Sequence, residues 1–192
     1  MRMKTSLHES FFDSYSSKDL DVIVLSRSDP EYIKKLLESA NDRFFLLPSA
    51  NPRRSHHLLW YSLPGGGACK IDILTPGLVN IPYIPTWRIV YQDPFPDIPV
   101  APFLCLLLLK LGGWSDHRDP SKRRYMPDRV PVDEEDIEGL LTLAIEAYDV
   151  HLMWEEWMPG WFVALARDRV EEYVDEWPET ADSWSQIGFS VH

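Results

Sequence analysis

The spacing of apolar positions changes character about halfway along the chain. In the first half, short apolar runs are bounded by turn-forming residues, the spacing of strands. Residues 21–25 (Asp-Val-Ile-Val-Leu) predict a buried strand, 43–47 a second, 57–63 a third and 69–74 a fourth. Glycines 65–67 predict a hairpin turn between the last two. After the first strand, Asp29-Pro30 supplies a helix cap and a first helical residue. Ile33, Leu36, Leu37 and Ala40 then fall at i, i+3, i+4 and i+7, one face of a helix. Pro76, Pro82, Pro85, Pro94, Pro96, Pro99 and Pro102 exclude a long regular element across 76–102.

The second half has helical spacing. Pro102 to Leu111 predicts a short buried helix ended by Gly112-Gly113. Residues 133–148 predict an amphipathic helix with Ile137, Leu140, Leu141 and Ala144 on one face. Pro159 opens another, with Phe162, Leu165, Ala166, Val170, Tyr173 and Val174 facing inward. The polar, basic stretch 114–131 predicts an exposed, mobile loop beside Lys110 at the border of a cleft. Strands first and helices afterwards give an α+β class: a mixed sheet with flanking helices in 1–100 and a helical portion in 101–192.

Composition narrows the setting. A chain of 192 residues fits one domain of ordinary size, and 45% hydrophobic residues suffice for a core. The longest apolar run, Pro102 to Leu111, is too short for a bilayer and contains Lys110. Lys4 is followed by polar residues, without the apolar stretch of a signal peptide. These features lead us to expect an intracellular protein, cytoplasmic or nuclear, with Cys69 and Cys105 as reduced core thiols. The formal net charge of −11 argues against nonspecific nucleic-acid binding, which needs many basic residues on phosphates. The two basic clusters, Arg53-Arg54 and Lys122-Arg123-Arg124, read as solvated loops, and the eight tryptophans as packing residues.

The candidate chemistry is acidic. Asp19 and Asp21 are two residues apart at a strand mouth, so their side chains share a face. Asp72, in Lys70-Ile71-Asp72-Ile73-Leu74, lies on a later strand and joins them if that strand is adjacent. Three convergent carboxylates suit Mg²⁺, a hard cation that takes oxygen ligands, and paired Mg²⁺ ions serve phosphoryl transfer. An Asp-x-Asp by itself is common at strand ends and carries little weight. His117-Arg118-Asp119 copies a kinase catalytic-loop triplet, but no glycine-rich loop and strand lysine precede it. His56 and His57 would point to opposite faces of a strand, which is poor geometry for a shared metal.

The order Asp-Leu-Asp-Val-Ile-Val, helix, strands, Lys-Ile-Asp-Ile-Leu, then a Pro-led helix carrying Lys110 resembles the polymerase-β-like nucleotidyltransferase superfamily. More narrowly, it is similar to the abortive-infection toxin nucleotidyltransferases and their uncharacterised fungal relatives. Leu59-Trp60-Tyr61, Asn80-Ile81-Pro82 and Leu107-Leu108-Leu109-Lys110-Leu111 resemble the fungal group. The resemblance spans roughly residues 18 to 190. It implies Mg²⁺-dependent transfer of a nucleotidyl group from a nucleoside triphosphate to a hydroxyl. Asp19 and Asp21 would ligate metal, Asp72 would complete the site and assist deprotonation of the acceptor, and Lys110 would meet the triphosphate. Asp133 matches an acidic position of the toxin branch, although Val132 stands where a basic residue is expected; it also reads as the cap of the 133–148 helix. Lys110 reads equally as a lysine near a helix C-terminus. Active members carry a Gly-Gly or Gly-Ser turn before the aspartate pair, and Met1 to Lys18 contains no glycine. That departure implies a shortened member or a lost phosphate cradle, hence an inactive nucleotide-binding or protein-interaction module as the alternative.

Overall fold

The structure, a computed structural model, describes residues 19–49, 56–122 and 124–191. Arg53-Arg54, Arg123 and the glycine-free segment Met1–Lys18 lie outside the described residues. Two compact units divide the chain, one ending at Tyr83 and the other beginning at Ile84.

Among its described residues, the first unit holds a four-stranded mixed sheet and one α-helix. Its strands are β1 (Asp19–Ile23), β2 (Phe44–Pro48), β3 (His57–Ser62) and β4 (Ala68–Leu74), in the order β1-β4-β3-β2. β1 lies parallel to β4, and the other two pairings are antiparallel. The first strand begins two residues earlier than the spacing predicts, which brings both aspartates of Asp-Leu-Asp into the ladder. Gly65, Gly66 and Gly67 all have positive φ, the backbone that the β3–β4 turn requires.

Helix α1 (Pro30–Ala40) starts as expected, with the Asp29 carboxylate accepting from the Glu31 N–H at 2.8 Å. It packs Ile33 and Leu37 onto Leu59, Ile71 and Ile73 of the sheet. The predicted apolar stripe is wider than the one used, because Leu36 is 54% exposed. Glu31 ties the helix to β3: its carboxylate accepts from Lys34 Nζ at 2.7 Å and from the His57 N–H and ring Nδ1, both at 3.0 Å. Burial works to raise the Glu31 pKa, but the Lys34 ammonium and the His57 donors outweigh it and lower it to about 2.

A carboxyl whose pKa falls on folding stabilises the fold above its unfolded value, and that stability is lost as pH falls through the folded value. Acid titration of wild type is therefore expected to lose stability between about pH 4.5 and about pH 2 through this group. Glu31→Gln should flatten that window and cost about 1 kcal/mol at neutral pH after allowance for solvent screening. Urea denaturation at several pH values checks both expectations.

The second unit is mostly helical. A small hairpin of β5 (Val90–Gln92) and β6 (Phe95–Val100) is the longest regular structure in the proline-rich stretch. Four helices follow: α2 (Phe103–Arg118), α3 (Val130–Glu146), α4 (Gly160–Glu176) and α5 (Ala181–Gln186). Leu104, Leu107, Leu108, Leu111, Trp114, Ile137, Phe162, Val170 and Trp184 form its buried centre. Cys105 is buried there as expected; burial, with the Glu155 carboxylate nearby, pushes its thiol up to about 12. Cys69, in contrast, is only half-buried on β4.

Three sequence expectations need correction here. Gly112-Gly113 does not end α2, which continues for another turn and a half to Arg118. The expected loop 114–131 is therefore much shorter. Trp114 and His117 are buried in α2, and α3 begins at Val130 rather than 133. Asp133 is not the cap of that helix; Arg129 holds the cap position, and the Asp133 side chain is buried in the first turn. The reason for the first correction lies far away in sequence. A Cβ on Gly112 would meet the buried Arg169 guanidinium of α4 at 2.6 Å, so this glycine makes room for a side chain rather than for a turn. Nothing lies within 4 Å of a Cβ at Gly113. Gly113→Ala is expected to stabilise by about 0.5–1 kcal/mol through helix propensity. Gly112→Ala makes the same gain but forces the Arg169 guanidinium to shift, so its unfolding midpoint should lie below that of Gly113→Ala. Thermal melts of the two variants side by side make the comparison.

Candidate functional site

In the first unit, strand register decides where the predicted aspartates go. β1 and β4 pair Asp19 with Lys70 and Asp21 with Asp72. Residues paired across neighbouring strands point to the same face, and positions two apart on one strand do too. Asp19, Asp21, Lys70 and Asp72 therefore occupy one face, as a two-by-two array. Ile71 and Ile73, the alternate residues of β4, face the other way into the α1 core. Trp60 lies in the same row as Lys70 and Asp19, since it is the β3 partner of Lys70. So the carboxylates share the sheet face that α1 does not cover.

Lys70 governs the electrostatics of this face. Its Nζ donates to Asp72 Oδ2 at 2.6 Å and lies 3.5 Å from Asp19 Oδ2. Burial works against its charge, but the Asp72 and Asp19 carboxylates prevail and raise its pKa. The donor set has the hard oxygens that Mg²⁺ takes. The arrangement does not fit the ion: an ammonium lies between two of the three carboxylates. Among the described residues, no group of three His, Cys, Asp or Glu side chains is placed to hold a metal ion. Sequence reasoning passed over Lys70, although strand alternation already puts it on the Asp72 face. A hollow of about 490 Å³, lined by Leu25, Ser26, Arg27, Pro76 and Tyr83, opens beyond the carboxyl ends of β1 and β4.

The second unit brings together the other two predicted residues. Lys110, on α2, donates from Nζ to Asp133 Oδ1 on α3 at 3.1 Å and also pairs with Asp136. With α2 running to Arg118, Lys110 sits in mid-helix and not near a C-terminus. The second Asp133 oxygen accepts from His117 Nδ1 at 2.6 Å, which fixes that ring's proton on Nδ1. Asp133 is 2% exposed, and each of its oxygens has a donor, as a buried polar group requires. His117 was the residue missed here. Its triplet looked like chance, and its burial depends on an α3 residue that local sequence does not point to.

No helix among the described residues is long and apolar enough to cross a membrane. No protein-family model matches the chain, and no curated protein matches it. Among solved structures, the chain is similar to the crystal structure of an antigenic nucleotidyltransferase-like protein from Paracoccidioides brasiliensis. The TM-score is 0.56 and the identity 13%, over 91% of this chain and 76% of that one. At that identity the likeness is one of architecture: the chain has a nucleotidyltransferase-like α+β fold.

Proposed function

We propose that this chain is a catalytically silent nucleotidyltransferase-like module, which retains the acidic positions of a transferase without presenting them to metal and triphosphate. The observation that carries this reading is the state of Lys110. A lysine meant for a triphosphate must offer net positive charge. Here the ammonium is shared by Asp133 and Asp136, and the three groups together sum to a negative charge. A polyanion gains little from such a cluster. The expected result is that incubation with each labelled nucleoside triphosphate and Mg²⁺ gives no label transfer to protein, RNA or small hydroxyl compounds. Robust transfer that is lost in Asp72→Asn would overturn the reading.

The in-register Asp21–Asp72 pair favours a second reading, an active Mg²⁺-dependent nucleotidyltransferase acting on a hydroxyl. On that reading Lys70 would have to leave Asp72 and Asp19 before Asp19, Asp21 and Asp72 could hold a metal that neutralises the triphosphate. Asp72 would also draw the proton from the acceptor hydroxyl. Lys110 would have to leave Asp133 or Asp136 to reach a phosphate, so Asp136→Asn should speed transfer on this reading and change nothing on the first.

A further inference from the structure

We propose that the hollow beyond the carboxyl ends of β1 and β4 binds a small organic anion, with Arg27 taking its carboxylate or phosphate and Tyr83 its apolar body. β1 and β4 are parallel, so both strands end on one side of the sheet, and the loops that follow them line the hollow together. A crevice outside the carboxyl ends of parallel strands is a favoured place for a ligand, because rigid strands hold the loops that meet it. The hollow measures about 490 Å³, a volume typical of small-molecule sites. Both loops are held from within. After β1, the Val24 N–H donates to the Leu74 carbonyl at 2.8 Å, the Ser26 N–H to the Val24 carbonyl at 2.7 Å, and the Ser28 N–H to the Ser26 hydroxyl at 3.0 Å. After β4, the Leu78 N–H donates to the Thr75 carbonyl at 3.0 Å and the Gly77 N–H to the Ile81 carbonyl at 2.9 Å. A ligand therefore meets Arg27 and Tyr83 on loops it does not have to order.

The lining residues select the occupant. Leu25, Pro76 and the Tyr83 ring give the hollow an apolar wall, and Tyr83 is 59% exposed. Arg27 is its charged lining residue, and it has no hydrogen bond or ion pair among the described residues. The nearest acidic residue in sequence, Asp29, instead accepts from the Glu31 N–H at 2.8 Å. In a chain of net charge −11, a guanidinium left open beside an apolar wall is a local exception that favours anions. Its planar fork matches two oxygens of a carboxylate or a phosphate. An apolar body on the same molecule would cover Tyr83, which a bare inorganic anion cannot do. The proposal goes beyond the silent-module reading and does not rest on it, since it uses neither a metal nor the face of Asp19, Asp21 and Asp72.

Phenyl phosphate and phenylacetate are the probes, titrated at constant ionic strength and followed by the NMR line widths of the probe itself. Wild type is expected to bind at least one of them, and to bind inorganic phosphate and phenol at least about tenfold more weakly than that probe. The tighter of the two probes identifies the head group, phosphate monoester or carboxylate. Arg27→Gln should weaken binding at least about tenfold, and Tyr83→Ala should weaken it as well. Arg43→Gln removes an exposed cation elsewhere in the same unit and should bind as wild type does. All three substitutions fall at exposed positions, and circular dichroism establishes that each variant folds. Absence of binding of either probe to wild type overturns the proposal. Binding that Arg27→Gln or Tyr83→Ala leaves unchanged overturns it too, as does an equal loss in Arg43→Gln, which would mean that surface charge at large holds the anion. Inorganic phosphate bound as tightly as the better probe would also overturn it. No nucleoside triphosphate or Mg²⁺ is present, so none of these outcomes bears on the silent-module reading.

Discussion

Asp133→Ala is expected to destabilise the protein by about 3–5 kcal/mol, measured as a shift in the urea unfolding midpoint. The magnitude follows from what the truncation leaves behind. The carboxylate is 2% exposed and uses one oxygen for Lys110 and the other for His117. Alanine leaves the His117 Nδ1–H facing a cavity and Lys110 with Asp136 alone. Asp133→Asn separates charge from shape. Its carbonyl oxygen can still accept from Lys110. Its amide can donate to His117 if the ring moves its proton to Nε2, so a smaller loss, about 1–2 kcal/mol, is expected. Equal losses for the two variants would show that charge matters at this position and volume does not.

Trp114→Ala should be as costly, about 3–5 kcal/mol, for a different reason. The indole is fully buried, and its Nε1 donates to Glu134 at 3.1 Å. It meets Tyr173 edge-on at 4.9 Å, and Tyr173 in turn lies edge-on to Trp184, which meets Phe189. The Arg118 guanidinium sits over the Trp114 ring at 4.4 Å. Truncation therefore opens a cavity at one end of a four-ring stack that joins α2, α4, α5 and the C-terminal segment. Trp114→Phe keeps most of the volume and loses the N–H, and should cost less than half as much. Thermal unfolding followed by near-ultraviolet circular dichroism reads both the stability and the order of the stack.

How much of this was legible beforehand depended on whether the decisive partner was local. The Asp29 cap, the Pro30 start, the Gly65–Gly67 turn and the shared face of Asp19 and Asp21 all rest on neighbours within a few residues. They could be read directly. The meaning of Gly112 depended on Arg169, and that of His117 on Asp133, so local signals pointed to a helix stop and to chance. The Asp21–Asp72 pairing required the parallel register of β1 on β4. Alternation alone could place Lys70 beside Asp72 on one strand, but only that register sets it against Asp19.

The strand order has a consequence for association between molecules. Among the described residues, β1 lies at the end of the sheet with β4 as its one strand neighbour. An outer strand offers its backbone to any second chain, and inserted charges are one way in which proteins discourage that addition. Asp19 and Asp21 place two negative charges on a five-residue strand whose remaining members are Leu20, Val22 and Ile23. Charges at these two positions disfavour the addition of a further strand at this margin. Neutralising both would leave a short apolar β-segment at the rim. Asn variants at Asp19 and Asp21 should therefore be compared with wild type at matched low concentration, with light scattering alongside, so that self-assembly is not mistaken for another effect.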